Sequence, residues 1–302
     1  MPDQTINTVA IHSPGDMGNA VGKMLLTHGV RVIAALDERS DRTRQLAANA
    51  GIEDVGSYAK MVQEADIILS ILVPAQATAA AEAVAAAIKA TGNTVLYADC
   101  NAIAPETTKR IEQIISAAGG RFADASIIGG PPRDFESTKI YASGKHAATL
   151  AKLRKHGLNV IDMQSEVGQA SAIKMCYGAL TKGSTALFTE ILTAASALGV
   201  ANALAAEFQS SQSARYQSMQ SALPGMAAKA HRWIGEMEEI AQTFGDVGLT
   251  PNIFLGAADI YRHVAGTSVG KVTPEEPKPD FHEMVAVLAA ALEKTPNVNH
   301  KS

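Results

Sequence analysis

The sequence predicts an α/β N-terminal domain of Rossmann type, with a mostly parallel sheet, followed by an all-α C-terminal domain. Three observations predict it. Over residues 5–126, short apolar runs alternate with helical patterns, as in a parallel sheet covered by helices on both faces. A glycine turn, Ser13-Pro14-Gly15-Asp16-Met17-Gly18, stands between the first apolar run and the first helical pattern. After Glu166 the texture becomes helical almost throughout, with breaks near Gly199, Pro224-Gly225 and Gly248 to Pro251. The domain boundary is expected near 165, giving a nucleotide-binding domain over 1–165 and a helical substrate and dimerisation domain over 166–302.

The elements follow in order. A strand over Thr8 to His12 is followed by a helix from Gly18 to about His28, stopped by Gly29. A second strand covers Val30 to Leu36, and Ser40 and Asp41 can cap a helix that ends at Gly51. A short strand near 52–55 and a helix to Glu64 lead to the buried strand Asp66 to Leu72, stopped at Val73-Pro74. A helix from about Gln76 to Ala90, a strand over Thr94 to Ala98, a helix opened by Pro105 and a strand over Arg121 to Ile127 come next. Strands over Lys139 to Ser143 and Leu158 to Asp162 flank a helix over His146 to His156. The long helix Ala170 to Leu198 leads into the helical half. The tail from Thr295 to Ser302 is polar and expected to fray.

Composition narrows the function. The chain has 302 residues, 47% of them hydrophobic, enough for a large core in two domains. The net charge is −4, with no long basic run, which argues against nucleic acid or an acidic membrane as partner. No apolar stretch approaches the ~20 residues that span a bilayer, and the polar N-terminus carries no expected signal peptide. The two cysteines, Cys100 and Cys176, have no metal spacing, and the eight histidines form no metal motif. A reduced, cytoplasmic protein with a small-molecule substrate and no metal is expected.

Three stretches could carry chemistry. In the first turn, Gly15 allows a pyrophosphate to approach the backbone, and Gly18 lets the helix start close to the strand. Ser13 stands where the G-x-G-x-x-G pattern has its first glycine. Beyond strand two, Asp37 could bond a ribose 2′-hydroxyl, which favours NAD. Arg39, Ser40 and Arg42 suit a 2′-phosphate, which favours NADP. Alternatively, Asp37 and Ser40 only cap the next helix. The balance leans slightly to NADP. The second stretch is Gly168 to Gly178, where Lys174 lies among Ala170, Ser171, Tyr177 and Gly178. Such a lysine is either a desolvated acid or base, or one whose stem crosses the surface to water. The third is Asp124-Ala125-Ser126-Ile127-Ile128-Gly129-Gly130. Its paired glycines could present two amides to an anion, or simply turn the chain into Pro131-Pro132.

Together these motifs resemble the β-hydroxyacid dehydrogenases, relatives of 6-phosphogluconate dehydrogenase, in a branch with a distinctive C-terminal helical domain. That family opens with strand–G-x-G-x-M-G–helix, has a D-A-P-V-S-G-G loop and starts its catalytic helix G-x-x-x-x-x-K. Pro14 to Gly18, Asp124 to Gly130 and Gly168 to Lys174 match these in order over roughly residues 5–190. The resemblance implies hydride transfer between NAD(P) and a hydroxy acid or alcohol, or its carbonyl form. Lys174 would be the acid/base. Ser126, Gly129, Gly130, Tyr177 and Gly178 would line the substrate, and Leu72, Val73, Pro74 and Asn101 the cofactor. It also implies at least a homodimer, to which the apolar stretch Met284 to Leu292 could contribute. Two departures stand on the substrate side: Gly178 replaces an asparagine, and Ile128 a serine. Both imply a pocket more apolar than usual, and a bulkier or less acidic substrate. Competing expectations are an imine reductase of this architecture, against which Lys174 counts, a semialdehyde reductase, and an inactive cofactor-binding regulator.

Overall fold

A computed structural model describes residues 5–37, 39–273 and 276–292. The chain divides into two compact units, Met1–Cys176 and Tyr177–Ser302. The expected frayed tail lies outside the described residues.

The first unit begins β1 (Thr8–Ile11), α1 (Asp16–Thr27), β2 (Arg31–Ala34), α2 (Asp41–Ala50), β3 (Glu53–Asp54) and α3 (Tyr58–Glu64). It continues β4 (Ile67–Ser70), α4 (Ala77–Thr91), β5 (Leu96–Asp99), α5 (Pro105–Ala117), β6 (Arg121–Gly129) and β7 (Thr138–Ser143). The short α6 (Ala147–Leu150) and β8 (Asn159–Asp162) complete the sheet. The helix expected over 146–156 is α6 followed by a 3-10 stretch, Ala151–His156.

The strands form one sheet in the order β3-β2-β1-β4-β5-β6-β7-β8. Every pairing is parallel except β6 with β7. This is the expected doubly wound, mostly parallel sheet. Its central strands are apolar on both sides because both faces are covered. Val9, Ile11, Leu69, Ala98 and Ala125 belong to one core with Val21 and Leu25 of α1. Ala10, Ile33, Ile68 and Tyr97 belong to the other, with Val84 and Ile88 of α4 and Ile111 of α5. The order reverses between β1 and β4. A crevice there, outside the carboxyl ends of the strands, is where such sheets take their ligands.

The long helix α7 (Gln169–Ala197) carries the chain from the first unit into the second. There follow α8 (Ala201–Ser211), α9 (Ser213–Met226), α10 (Ala230–Asp246), α11 (Asn252–Gly266) and α12 (Phe281–Leu292). α9 runs through Pro224 and ends at Met226, so the break expected at 224–225 falls at the end of the helix. α10 and α11 pack through Phe244 on Phe254, with ring centroids 4.7 Å apart, and through Trp233 edge-on to Tyr261 at 5.3 Å. On α12, Met284 and Leu288 are fully buried within the unit, whereas Leu292 is exposed. Among the described residues, no helix is long and apolar enough to cross a membrane.

Candidate functional site

The carboxyl ends of β1, β2, β4, β5 and β6 share one edge of the sheet, because these strands run parallel. The sequence-predicted residues of the first unit lie at those strand ends, in the loops and the helix start that follow them or, for Lys174, on the helix bound to β6.

At β1 the chain turns tightly, with the Gly15 amide donating to Ser13 O at 2.9 Å and Asn19 N to Gly15 O at 2.7 Å. A Cβ on Gly18 would lie 2.3 Å from Ser13 O and 2.9 Å from Ile11 Cγ2, so no side chain fits there. A Cβ on Gly15 would meet nothing within 4 Å, so the turn is open at that point. Pro14 is buried and Met17 packs against the core. Side chains cap α2 through Ser40 and α3 through Ser57, whereas no side chain caps α1. An uncapped helix start beside an open glycine suits a pyrophosphate, which the first-turn amides and the helix dipole would hold.

The ends of β4 and β5 are clamped together by Asn101. Its Oδ1 accepts the Leu72 amide at 2.6 Å, and its Nδ2 donates to Ser70 Oγ at 3.1 Å. Asn101 therefore shapes the Leu72-Val73-Pro74 loop with its side chain engaged, and Val73 is exposed.

The loop after β2 and the first turns of α2 hold three arginines with different partners. Arg42 pairs with the Asp16 carboxylate at 2.8 Å. Arg44 donates to the carbonyl oxygens of Arg39 and Asp37 at 3.0 and 2.5 Å. Arg39 Nη2 reaches the Tyr58 hydroxyl at 3.0 Å and His12 O at 3.3 Å. Ser40 Oγ caps α2 by accepting Thr43 N, and Asp37 is exposed. Tyr58 Oη lies 3.0 Å from His12 Nε2. Burial, assisted by the Arg39 charge, pushes the His12 pKa down to about 3. Sequence reasoning missed Tyr58 and His12. The only local signal was a histidine placed immediately before the turn.

At β6 the geometry centres on Asp124. Its Oδ2 accepts Ser143 Oγ at 2.8 Å, Gly168 N at 2.8 Å and Ser171 N at 3.1 Å, and its Oδ1 accepts Ser171 Oγ at 2.7 Å. Ser171 Oγ also meets Thr108 Oγ1 at 2.8 Å. The first turn of α7 is thereby fastened to the strand, and Lys174, one turn further, donates from Nζ to the carbonyl oxygen of Ile127. Burial raises the Asp124 pKa, and its hydrogen-bond donors oppose that rise. Asp124 lies in register between Asp99 and Ser143, and Asp99 pairs with Ser70. These four polar side chains form a buried row across β4–β7. Burial pushes the Asp99 pKa up to about 7, and the neighbouring Asp124 adds to it. Ser126 is fully buried, and its hydroxyl has no partner among the described residues.

Gly129 ends β6 opposite Thr138 at φ +121, where a Cβ would lie 2.8 Å from Ser137 O. The paired glycines thus open a hairpin into β7. Gly130 faces open space, with nothing within 4 Å of a Cβ placed there. Tyr177 and Gly178 belong to the second unit. Tyr177 is half exposed, and Gly178 is buried, a Cβ on it lying 3.1 Å from Ile240 Cδ1. Lys182, two turns beyond Lys174, is ion-paired with Glu236 and lies 5.5 Å from the centre of the Trp233 ring.

Turn, switch point and uncapped helix define a dinucleotide-binding protein of the doubly wound class. Residues 8–155 match the NAD binding domain of 6-phosphogluconate dehydrogenase, and residues 195–264 match a domain of unknown function, DUF1932. The chain carries a 6-phosphogluconate dehydrogenase-like NAD-binding domain followed by a helical DUF1932 domain. It is 27% identical over 236 residues to an uncharacterized 28.5 kDa protein of Methanothermus fervidus, covering 78% of this chain and 90% of that protein. A solved conserved protein of unknown function, with structural similarity to 3-hydroxyacid dehydrogenases, is 28% identical with a TM-score of 0.64. That match covers 88% of this chain and all of the other. The Mycobacterium tuberculosis 3-hydroxyisobutyrate dehydrogenase shares the fold, at 19% identity and a TM-score of 0.65 over 94% of this chain and 99% of the other.

Proposed function

We propose that the protein is an oxidoreductase that transfers a hydride between a nicotinamide cofactor, NADP by preference, and a hydroxy acid or alcohol or its carbonyl form. The observation that carries this reading is the Lys174 ammonium, seated on Ile127 O by a helix whose first turn is fastened to the same strand through Asp124. When bound, the nicotinamide supplies or accepts the hydride. Lys174 gives a proton to the carbonyl oxygen in reduction and takes it from the hydroxyl in oxidation, and its charge polarises the carbonyl. The open backbone at Gly130 receives the substrate's polar end. Ile128 and Gly178, in place of hydrogen-bonding side chains, favour a substrate bulkier or less acidic than a three- or four-carbon hydroxy acid. The 28% identical relative with structural similarity to 3-hydroxyacid dehydrogenases supports the reaction class.

The working form in this reading is a cytoplasmic homodimer or higher homo-oligomer. Leu180 and Leu187 of α7 and Ile253 of α11 are more than half exposed and line one groove of the second unit.

A panel of hydroxy acids, alcohols, aldehydes and imines, followed by nicotinamide absorbance, finds the substrate. Against that substrate, Lys174→Ala lowers turnover by ~10²-fold or more, the scale of a lost acid or base, and leaves cofactor affinity nearly unchanged. Full rate in that variant rules out the role given to Lys174.

A further inference from the structure

We propose that Tyr58 and His12 are positioning residues for cofactor choice, holding the Arg39 guanidinium beside the nucleotide turn, where it takes the 2′-phosphate of an NADP-type nucleotide. The inference rests on the NADP reading above and adds the device that would enforce it.

Of the three arginines in the loop and the start of α2, Arg42 meets a carboxylate and Arg44 meets two backbone carbonyls. Arg39 uses only Nη2, on His12 O and Tyr58 Oη. Its Nε and Nη1 have no partner among the described residues, so part of the fork remains for an anion. A guanidinium only donates, so Tyr58 Oη accepts from Arg39. The same hydroxyl lies 3.0 Å from His12 Nε2, and the imidazole tautomer sets which of the two donates. His12 is fully buried, and burial with the Arg39 charge keeps it neutral through any working pH.

The arrangement ties Arg39 to the strand that feeds the turn. His12 is the residue before Ser13, and its amide bonds Leu69 O across the switch point between β1 and β4. The His12 and Tyr58 rings also pack, with centroids 5.1 Å apart. An arginine held only by its own loop would give up side-chain freedom on meeting a phosphate. Arg39 has lost that freedom already, so binding a 2′-phosphate costs less. His12 and Tyr58 themselves need not touch the cofactor.

The test uses the full chain and known ligands, and needs no substrate. Dissociation constants for NADPH and NADH are read from reduced-nicotinamide fluorescence, and those for 2′,5′-ADP and 5′-AMP by competition. Wild type is expected to prefer NADPH and 2′,5′-ADP, and Arg39→Ala to abolish the preference. Arg39→Lys also loses most of it, because a single nitrogen lacks the planar fork that lets Nη2 hold Tyr58 and His12 O while Nε and Nη1 face the phosphate. Tyr58→Phe removes one hydrogen bond and weakens NADPH and 2′,5′-ADP by about 3- to 10-fold relative to NADH and 5′-AMP. The ratio decides even if the variant binds every ligand less well. A wild-type ratio in Tyr58→Phe, with the ratio lost in Arg39→Ala, overturns the positioning role and leaves the NADP reading intact. A wild type without preference overturns the NADP reading, and the positioning role with it.

Discussion

Asp124 and Ser171 are joined twice: the carboxylate takes the serine amide at 3.1 Å and its hydroxyl at 2.7 Å. A strand residue thus serves as the N-terminal anchor of a helix 47 positions further on. The helix that carries Lys174 is 29 residues long, and Asp124 also takes the Gly168 amide just ahead of its first turn. Carboxylates are favoured at such a terminus by both the free amides and the helix dipole.

Asp124→Ala would leave the Gly168 and Ser171 amides buried without their acceptor. A loss of about 2–6 kcal/mol in unfolding free energy is expected, since each of the two buried unsatisfied groups costs ~1–3 kcal/mol. Asp124→Asn can keep the contacts, with its oxygen toward the amides and its NH2 toward Ser171 Oγ, whose proton then turns to Thr108. Denaturant titration of both variants checks this. Equal stability of Asp124→Ala and wild type would show that α7 is held by other means.

Asp99 makes stability depend on pH in the opposite sense to most acids. Its folded pKa is raised to about 7, while an unfolded aspartate titrates near 3.9. Between about pH 4 and pH 7 the unfolded chain has released this proton and the folded chain has not. The contribution of Asp99 is therefore fully present below pH 4, falls as pH rises, and is lost by about pH 7. Asp99→Asn removes this dependence and can keep the acceptor for Asn101 N. Its stability relative to wild type should rise from pH 4 to pH 7 and stay level above, by unfolding titrations at each pH. A difference independent of pH would mean that Asp99 is not held protonated.

The parts of the site that a sequence displays are those set by backbone geometry over a few residues. Gly18 and Gly15 are legible because the turn needs a missing Cβ in one place and open backbone in another, within six residues of Ser13. The alternating runs over 5–126 are legible because strands covered on both faces must be apolar throughout. The division of labour among Arg39, Arg42 and Arg44 is not local. It depends on Asp16, Tyr58 and His12, which only the folded loop brings within reach. Asp124 stood in a recognisable motif, but its partners at 143, 168 and 171 come from other elements. At 284–292, Met284 and Leu288 are buried within their own unit and Leu292 is exposed, and hydrophobicity alone does not say what covers the rest of such a stretch.

The homodimer proposed above is tested at the exposed apolar side chains of the second unit. Leu187 is 53% exposed and Ile253 67% exposed, in one groove with Leu180. Placing Glu at both 187 and 253 would set two carboxylates beside Glu190, which also lines that groove. Sedimentation velocity should show a dimer for wild type and a monomer for Leu187→Glu/Ile253→Glu, with little change in helix content. A wild-type monomer, or a variant dimer as tight as wild type, places any interface elsewhere.

Gly178 and Ile240 pack against each other one turn after Lys174. Ile240 is 1% exposed, and its Cδ1 would lie 3.1 Å from a Cβ at 178. Gly178→Asn has to push the isoleucine or bend α7, and overpacking of this kind costs about 1–3 kcal/mol. Ile240→Ala leaves a cavity and costs about 2–5 kcal/mol alone. Combined, the asparagine enters the space the isoleucine vacates, so the double variant should be more stable than the sum of the two losses by about 1 kcal/mol or more. Unfolding titrations of the four proteins give that coupling. Simple additivity would mean that Ile240 does not set the size limit at 178, and that the glycine there reflects something other than packing.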